Sequence, residues 1–484
     1  MSENQNKRKR PPVVVVVGHV DHGKTTLLDY IRKANVAAKE AGGITQSVGA
    51  YEITHNNEKI TFIDTPGHEA FSKMRVRGAA LADIAILVVA ADEGVKPQTK
   101  ESIKVLQESK TPFVVAITKI DKPAADIDKV KSDLAANSVL LEGFGGNISF
   151  QGVSGKTGEG VDEILDLILL TAEMEELTYD PSINASGVVL ESKKDKQRGF
   201  TTSVILKDGT LKTGDAIATA TAKGKIKILE NFVGKKVDSL EPSSPAVIIG
   251  FETLPKTGEE FVAGKFSEEE LKKITAKSTC PEARSQFCKL DGDCVVRIIL
   301  KADVSGSLEA LSELIKNMPM KEKYSANIVG EGVGEIGDND IKNAIAMKAL
   351  ILGFRVRTNK AVENMAKDNK VEIITSEIIY ELLEAVQSYF TCLSSGDMSG
   401  DLEVLAVFGK KAGKQIVGGK VISGEIKNNA TLEIQYKGEK IGTGKIINLQ
   451  ESKRDVASVP AGKECGLLVT SEVEIKSDYH LILR

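Results

Sequence analysis

A glycine-rich string near the start of the chain, residues 18–25 with the sequence GHVDHGKT, matches the phosphate-binding pattern GxxxxGK[ST]. A five-valine run precedes it and a helical stretch follows, so backbone N–H groups should converge at a helix N-terminus, where anions bind. Lys24 should neutralise phosphate charge, and the Thr25 hydroxyl should bind Mg²⁺. A glycine-rich turn without a ligand is the alternative, which this strand–loop–helix order disfavours. The predicted nucleotide-binding residues here are Gly18, His19, Val20, Asp21, His22, Gly23, Lys24, Thr25 and Thr26.

A second string, DTPGH at residues 64–68, ends the apolar run ITFID. Asp64 is placed to hold Mg²⁺ through a water molecule, and Gly67 can offer its N–H to the γ-phosphate. His68 can orient a water molecule for attack on the γ-phosphorus, as a glutamine does in other nucleotide hydrolases. We therefore predict that Lys24 and His68 are catalytic. For His68 the alternative is a structural role.

Between these strings lies a glycine-bounded loop, residues 42–51 with the sequence GGITQSVGAY. The Thr45 hydroxyl could become a second Mg²⁺ ligand only when a γ-phosphate is present, and we include Thr45 among the catalytic residues. Such a loop would be ordered by the triphosphate and released on hydrolysis, which converts chemistry into a change of surface. Without its neighbours, the segment would be interpreted as an ordinary mobile loop.

Two further segments follow apolar runs and fit recognition of a purine base. Asp121, in the sequence TKID, can accept hydrogens from N1 and N2 of guanine, which adenine does not offer, and this selects GTP over ATP. The aliphatic part of Lys119 can cover the ring, and a backbone segment around VSGK can contact the guanine oxygen. The base-binding residues predicted from these segments are Thr118, Lys119, Asp121, Ser154, Gly155 and Lys156.

The elements that must position these residues follow from the hydrophobic pattern. Short β-branched runs alternate with helical stretches in the first third, which is typical of βαβ units with a parallel sheet. Later, short strands separated by glycine-containing turns indicate small barrels. The fold class expected is multidomain α/β plus β, with a disordered basic tail (1–10), a nucleotide-binding domain (11–178), a β-barrel (182–266), a second α/β domain (280–372), a long linker helix (374–394) and a C-terminal β-barrel (398–484).

Composition excludes several classes of protein. With 41% hydrophobic and 27% charged residues and only short apolar runs, the 484-residue chain is expected to be soluble, without a membrane partner. Its net charge of −4 argues against general polyanion binding, so any nucleic-acid contact should be local. The five cysteines form no CxxC pair, and the start has no apolar signal region, which favours reduced thiols and a cytoplasmic location. The basic N-terminal run could touch RNA or aid solubility.

GHVDHGKT, GGITQSVGAY, DTPGHEAF and TKID, in this order, resemble the P-loop GTPase domain of translation factors. LKADVSGSLEAL, the stretch from VGEGVGEIG to GFRVR, SEIIYELLEAV and AGKECGLLV extend the resemblance, specifically to bacterial-type initiation factor two, from Pro11 onward. The motifs predict binding of GTP and Mg²⁺, and a monomer is expected. The resemblance implies that the protein places formylmethionyl initiator tRNA on the small ribosomal subunit, promotes subunit joining and hydrolyses GTP on the ribosome. It further implies that Val20 and Ile44 form an apolar gate before His68, and that Glu464, Cys465 and Gly466 belong to a tRNA-binding barrel.

The chain departs from the family pattern at several positions. Thr118 stands where the family has Asn and Gly155 where it has Ala, which should weaken discrimination for guanine. In the terminal barrel, a basic and aromatic run is replaced by Gln450-Glu451-Ser452, and a cysteine is replaced by Gly419. Glu451 would repel an RNA phosphate. The long N-terminal extension common in the family is expected to be absent.

Three rival interpretations fit parts of the sequence. The string GVGEIG at residues 332–337 fits a dinucleotide-binding pattern, but the following strand ends in Arg357 rather than an acidic residue, which favours a tight βα turn. An elongation-type or selenocysteine-type tRNA carrier would share the first barrel but lack the second α/β domain. A non-catalytic, GTP-gated ribosome-binding scaffold would not need His68 and Thr45.

Overall fold

The computed structural model of the protein describes most of the chain. The described residues are 7–33, 49–67, 71–266, 294–318, 324–394, 400–411, 414–428, 430–436, 439–451, 454–471, 473–477 and 479–483. The chain divides into two compact units, residues 1–383 and 384–484, each with its own core. None of the helices in the described part combines the length and apolar character needed to cross a membrane.

The first region is a sheet flanked by helices. Its elements are β1 (Arg8–Lys9), β2 (Val13–Gly18), α1 (Lys24–Ile31), β3 (Gly49–His55), β4 (Glu58–Asp64), α2 (Ser72–Leu81), β5 (Ile84–Ala90), α3 (Pro97–Ser109), β6 (Phe113–Thr118), α4 (Ile127–Ala136), β7 (Phe150–Gly152), α5 (Val161–Met174) and β8 (Thr178–Tyr179). The strand order is β3-β4-β2-β5-β6-β7, and all neighbours are parallel except β3 and β4.

The five valines of β2 show why this sheet forms. Successive side chains of a strand point to opposite faces, so a continuous apolar run needs cover on both. Val13, Val15 and Val17 lie in one core cluster with residues of α3 and α4. Val14 and Val16 lie in a second cluster with residues of α1 and α5. The central strand is therefore fixed from both faces, which holds the loop at its C-terminal end in place.

A closed barrel follows. Its strands are β9 (Ala185–Asp195), β10 (Gly199–Asp208), β11 (Leu211–Lys212), β12 (Ala216–Thr219), β13 (Lys223–Asn231), β14 (Ser239–Leu240), β15 (Pro245–Phe251) and β16 (Glu260–Gly264), of which β10-β15-β13-β12-β16-β9 close the barrel. The barrel is tied to the first sheet, because the Thr61 hydroxyl donates to the Ser243 carbonyl at 2.6 Å. Val188, Leu190 and Ile205 of the barrel also pack into the core of the nucleotide-binding domain.

The second α/β region has a four-stranded parallel sheet in the order β18-β17-β19-β20. Its elements are β17 (Cys294–Ala302), α6 (Ser305–Asn317), β18 (Tyr324–Val333), α7 (Asp338–Met347), β19 (Ala349–Phe354), α8 (Lys360–Asp368), β20 (Ile373–Ser376) and the helix α9 (Ile379–Ser394). Gly334 has a positive φ of 106° in the turn between β18 and α7. This conformation favours glycine and fits the interpretation of GVGEIG as a tight βα turn.

The second unit is built from antiparallel strands. They are β21 (Gly400–Lys411), β22 (Lys414–Lys427), β23 (Thr431–Tyr436), β24 (Glu439–Glu451), β25 (Arg454–Asp455), β26 (Ser458–Pro460), β27 (Glu464–Ser471) and β28 (His480–Leu483). The path β21-β28-β23-β24-β27-β22 is closed by pairing of β21 with β22, so the strands encircle one apolar core.

Three expectations about local structure are wrong. Residues 1–10 are not all a disordered tail, because Arg8 and Lys9 pair with β8 and the Arg10 guanidinium donates two hydrogen bonds of 2.6 Å to Asp83. The long helix begins at Ile379 rather than residue 374, since the preceding residues form β20.

The first sheet is not wholly parallel either. Residues 49–51, expected in the loop GGITQSVGAY, begin the antiparallel edge strand β3. Asn56 and Asn57 turn this strand into β4 with φ values of 48° and 66°. Asparagine tolerates the left-handed conformation that a tight hairpin turn of this kind requires.

Candidate functional site

The loop of residues 18–23 connects β2 to α1 at the C-terminal edge of the first sheet. Gly18 has φ 147°, and a Cβ atom there would lie 2.4 Å from the Val88 carbonyl oxygen of β5. Gly23 caps α1 with φ 86°. Because neither position tolerates a side chain without strain, the loop needs glycine at both ends. Its N–H groups lead directly into the first turn of α1, which is the arrangement that binds phosphate.

Lys24 is the first residue of α1, and it is 6% exposed. Its ammonium donates to the carbonyl oxygens of Gly18 at 3.0 Å and His19 at 2.5 Å. Burial lowers the pKa of Lys24 to about 8, while the nearby Asp64 carboxylate favours the charged form. A Cβ atom at Gly67 would lie 2.2 Å from the Lys24 ammonium. The two phosphate-facing strings, GHVDHGKT and DTPGH, therefore meet at one buried cation.

His22 links three parts of the site. Its side chain is fully buried, and its Nδ1 accepts a hydrogen bond of 3.4 Å from the Ala90 N–H at the end of β5. Burial lowers the pKa of His22 to about 4, so the imidazole is neutral at physiological pH. Its backbone carbonyl accepts a hydrogen bond of 2.5 Å from the Thr118 hydroxyl. His22 thus holds the phosphate loop against both β5 and the base-binding segment.

The two segments predicted to bind the base are hydrogen-bonded to each other. The Ser154 hydroxyl donates to the Asp121 carboxylate at 2.8 Å and accepts from the N–H groups of Lys156 and Thr157. Lys119 has a positive φ of 60°, and its ammonium lies 3.4 Å from a Glu93 carboxylate oxygen. The structure therefore brings Thr118, Asp121 and Ser154 to one edge of the sheet, next to the phosphate loop.

Thr118 and Gly155, the two departures from the family pattern in this region, both make close contacts with neighbouring segments. The Thr118 hydroxyl donates to the His22 carbonyl oxygen. At Gly155, a Cβ atom would lie 2.9 Å from the Leu27 N atom and 3.0 Å from the Thr26 carbonyl carbon. Glycine lets the segment around Ser154 pack directly on the backbone of α1. Thr118 and Gly155 thus accompany a close approach of the base-binding segments to the phosphate loop.

The donors for magnesium are of the right chemical type. Thr25 stands in the first turn of α1, and the carboxylate of Asp64, 5% exposed, ends β4. Hydroxyl and carboxylate oxygens are the ligands that Mg²⁺ prefers. The remaining residues of this proposed centre, Thr45 and His68, lie outside the described residues, as does Ile44 of the expected gate. Val20, the other gate residue, is half-buried, and its N–H donates to Gln98 at 3.0 Å.

A second candidate site lies on the terminal barrel. Glu464, Cys465 and Gly466 begin β27 and line a cavity of about 260 Å³ together with Leu405, Ala406, Gly418, Gly419 and Gln450. The register explains the cavity, since Ala406, Gly418, Gly466 and Gln450 are paired across four strands and three of them are small. Burial raises the pKa of the Cys465 thiol to about 11, so the thiol is neutral.

The departures in this barrel are also explained locally. A Cβ atom at Gly419 would lie 2.3 Å from Leu402 Cδ2 and 2.4 Å from the Glu403 carbonyl oxygen, so a cysteine does not fit there. Glu451 forms an ion pair of 2.7 Å with Lys463, and this partly offsets the expected repulsion of an RNA phosphate. Gln450 donates to Asp455 at 2.7 Å. Ser452 lies outside the described residues.

Some residues that support the first site carried no signal in the sequence. Gln98 reaches the phosphate loop from α3, and Arg10 joins Asp83 before β5 from the N-terminal segment. Arg77 of α2 donates to both carboxylate oxygens of Glu309 in α6, at 2.6 and 2.9 Å. These partners are separated by about seventy to more than two hundred positions, so no local pattern connects them.

Comparison with known proteins agrees with the geometry. Residues 9–174 match the elongation factor Tu GTP binding domain, residues 184–264 match elongation factor G domain 2, and residues 269–387 match translation-initiation factor 2. Translation initiation factor IF-2 of Thermosipho africanus is 41% identical over 98% of this chain and 70% of its own length. This chain belongs to the translation initiation factor IF-2 family. The predicted family and fold class are thereby confirmed.

Other relatives of the IF-2 family are longer than this chain. IF-2 of a Nitratiruptor species is 42% identical, and the match covers 98% of this chain but 58% of the relative. The chain therefore spans under two thirds of the length of several curated relatives. Among solved structures, GDP-bound aIF5B from Aeropyrum pernix matches with a TM-score of 0.50 and 26% identity, over 98% of this chain and 92% of that chain.

Proposed function

We propose that this IF-2 family member is a GTP-hydrolysing translation initiation factor. In its GTP form it helps place formylmethionyl initiator tRNA on the small ribosomal subunit and promotes joining of the large subunit, and the ribosome stimulates hydrolysis. The observation that carries the proposal is the convergence of the phosphate loop and Gly67 on the buried Lys24 ammonium. We expect the protein to act as a monomer in the cytoplasm.

Two parts of the site support GTP binding, one for the phosphates and one for the base. The Lys24 ammonium would exchange the carbonyl oxygens of Gly18 and His19 for β- and γ-phosphate oxygens, a stronger charge-assisted pairing. Asp121 would accept the two guanine hydrogens while Ser154 holds its carboxylate in place. Because adenine offers no such donor pair, the same contact excludes ATP.

Hydrolysis requires an oriented water molecule and stabilised charge on the phosphoryl oxygens. His68 would orient the water, the Gly67 N–H would contact the γ-phosphate, and Val20 with Ile44 would keep His68 away until the ribosome moves it inward. Thr25, Thr45 and, through water, Asp64 would hold magnesium. When bound, that ion neutralises negative charge on the phosphate oxygens.

The terminal barrel is proposed to hold the aminoacyl end of the initiator tRNA. Its cavity is lined by small or apolar residues of β21 and β22, by Gln450 of β24 and by Glu464, Cys465 and Gly466 of β27. A neutral Cys465 thiol and the Gly418 and Gly466 surfaces suit an apolar side chain with an uncharged amide end. The local ion pair between Glu451 and Lys463 limits repulsion of the RNA backbone.

GTP turnover with and without both ribosomal subunits tests this proposal. We expect slow turnover by the protein alone, a large increase with both subunits, and tighter binding of initiator tRNA when it is formylated. Failure to retain labelled GTP in the presence of magnesium would contradict the whole proposal. Indifference to formylation would remove the initiation role and leave the GTPase. A His68→Ala variant as fast as wild type on ribosomes would instead indicate a non-catalytic scaffold.

A further inference from the structure

Arg75 of α2 is a buried charge that takes no part in the sites above. Its side chain is 2% exposed. Moving a guanidinium out of water is costly unless an opposite charge and hydrogen bonds compensate for the lost solvent. Buried ion pairs of this kind add little to stability compared with apolar side chains of similar volume. The position of Arg75 therefore calls for an explanation in terms of what the guanidinium contacts.

The guanidinium joins α2 to two other segments. Its Nη2 donates to the Glu101 carboxylate of α3 at 2.7 Å. Its Nη1 donates to the Pro66 carbonyl oxygen, in the string DTPGH, at 3.4 Å. The planar fork of an arginine fixes the directions of its donors relative to one another, which a lysine ammonium does not. Glu101 therefore orients the fork whose other arm reaches Pro66.

The peptide that Arg75 contacts includes the N–H proposed to meet the γ-phosphate. The Pro66 carbonyl and the Gly67 N–H belong to one planar peptide group, in which they point in opposite directions when the bond is trans. A donor that fixes the carbonyl on one side therefore fixes the direction of the N–H on the other. Gly67 also lies against the phosphate loop, since a Cβ atom there would be 2.2 Å from the Lys24 ammonium.

The helix that carries Arg75 is packed closely on the same string. A Cβ atom at Gly78 of α2 would lie 2.9 Å from Thr65 Cγ2 and 3.1 Å from Val15 Cγ2. The backbone of α2 thus approaches both β2 and the residue before Pro66. Because close-packed interiors resist displacement, the guanidinium extends from a fixed base.

Arg75 is also linked to Lys24 through its charge. Burial is the main reason that the pKa of Lys24 falls to about 8, the Asp64 carboxylate opposes this, and the positive charge of Arg75 lowers the pKa further. Two buried cations that interact in this way repel each other. The negative charge of a phosphate group beside them would relieve that repulsion.

We propose that Arg75 is a positioning residue for GTP hydrolysis, which directs the Gly67 N–H at the γ-phosphate by holding the Pro66 carbonyl. The inference rests on the proposed contact between Gly67 and the γ-phosphate. Its effect is specific for the triphosphate, because GDP has no γ-phosphate for that N–H to meet. The bond of 3.4 Å is long, and catalytic hydrogen bonds often tighten only when the substrate is bound.

The ratio of the affinities for a non-hydrolysable GTP analogue and for GDP tests the proposal. Both affinities are measured by titration of fluorescent nucleotides with the full chain and magnesium, for wild type, Arg75→Lys and Arg75→Met. Arg75→Lys keeps a positive charge beside Glu101 but loses the fork, and Arg75→Met removes the charge. We expect the ratio to fall about tenfold in both variants, with the affinity for GDP within about twofold of wild type.

Turnover on ribosomes gives a second measurement. The maximal rate of GTP hydrolysis with both ribosomal subunits should fall at least about tenfold in both variants, because a misdirected donor no longer stabilises charge on the phosphoryl oxygens. The ribosome concentration that gives half the maximal rate should stay close to that of wild type, since the Arg75 side chain is buried. A role in stability alone would not separate these two quantities.

Arg10→Met is the matched control. Arg10 forms an ion pair with Asp83 through two hydrogen bonds of 2.6 Å, and both side chains are largely buried. Asp83 precedes β5, so this pair lies at the opposite edge of the sheet from the phosphate loop. Its loss should lower the free energy of unfolding without changing the affinity ratio. Retention of GDP shows that each variant is folded, and if Arg75→Met does not retain GDP, Arg75→Lys decides.

The outcomes separate the inference from the function on which it rests. Arg75 variants that weaken the GTP analogue and GDP equally would leave Arg75 with a structural role and overturn the inference alone. A ratio that falls as much in Arg10→Met would do the same, since general loosening of the domain would then account for the effect. Wild type that fails to retain GTP with magnesium would overturn the proposed function and the inference together.

Discussion

At the scale of single residues, Thr118 shows how a small hydroxyl connects two loops. Its Oγ1 donates to the His22 carbonyl oxygen at 2.5 Å in a position that is 2% exposed. Thr118→Val keeps the shape but leaves that carbonyl without this donor, which costs about 1–3 kcal/mol in a buried site. We expect labelled GDP to dissociate about tenfold faster from Thr118→Val, measured by stopped-flow fluorescence. Thr118→Ser, which keeps the hydroxyl, should behave nearly as wild type; equal rates for Val and Ser would refute the role of the bond.

His22 gives the phosphate loop a pH dependence. Its pKa is about 4 in the folded protein because of burial, compared with 6.5 for an exposed histidine. Between these values the unfolded state binds more protons, so the free energy of unfolding rises with pH and is lost as pH falls. Wild type should lose about 2 kcal/mol more than His22→Gln between pH 7 and pH 5. Denaturant titrations at both pH values measure this difference, and parallel losses would contradict it.

At the scale of elements, α2 and α6 are joined by a two-pronged ion pair. Arg77 and Glu309 are each about one-third exposed, so the pair is partly screened by solvent. A double-mutant cycle with Arg77→Ala and Glu309→Ala should give a coupling energy of about 1 kcal/mol. The exposed pair Lys104–Glu108 on α3 is the control and should give about 0.3 kcal/mol or less. Equal coupling in both cycles would show that α2 is not specifically held by α6.

The strands β22 and β27 make a contrasting pair of glycine predictions. A Cβ atom at Gly419 would collide with Leu402 and the Glu403 carbonyl, whereas one at Gly466 would meet nothing within 4 Å. Gly419→Ala should therefore destabilise the terminal barrel by about 1–3 kcal/mol. Gly466→Ala should fold as wild type yet weaken initiator-tRNA binding, because its methyl group enters the cavity. Thermal melting and tRNA titration measure the two effects. A Gly466→Ala variant with unchanged tRNA affinity would argue against this cavity as the aminoacyl site.

At the scale of the whole molecule, three interfaces tie the first unit together. The nucleotide-binding domain meets the first barrel through the hydrogen bond between Thr61 and Ser243. The barrel meets the second α/β region through a hydrogen bond of 2.6 Å between Thr257 and Ser305. The nucleotide-binding domain meets the second α/β region through the ion pair between Arg77 and Glu309. The second unit has a separate core. We therefore expect the two units to unfold as separate cooperative blocks.

Scanning calorimetry tests this expectation. GDP, with magnesium and at a hundred times its dissociation constant, should stabilise the first unit against unfolding by about 2.7 kcal/mol. The unfolding transition of the second unit should be unchanged. The control is the same scan with ADP, which should move neither transition. A single merged transition that shifts as a whole with GDP would contradict independent unfolding.

Much of the candidate site could be predicted because its signals are local. The string at residues 18–25 follows a run of five valines, and this continuous apolar run predicts a buried parallel strand. The structure places the loop and the helix as expected. Residues 49–51 were misassigned because a glycine-bounded segment looks like a loop until its pairing with β4 is known. The helix was expected to begin at residue 374, although Ile373, Ile374 and Thr375 are β-branched and favour a strand, which they form by pairing with β19.

The amino-acid sequence alone was sufficient to identify the family and to predict a triphosphate-binding loop, since each motif consists of neighbouring residues whose chemistry depends on a few backbone angles. Only the tertiary structure decided how the unusual residues are accommodated. Thr118 forms a hydrogen bond with His22, Gly155 allows close packing on α1, and Gly419 allows close packing on β21. In each case the contact joins chain segments that meet only in the folded protein. The same holds for the cavity beside Cys465, which exists because small residues from separate strands come into register. Register and close packing depend on the whole sheet, and no short stretch of sequence contains that information.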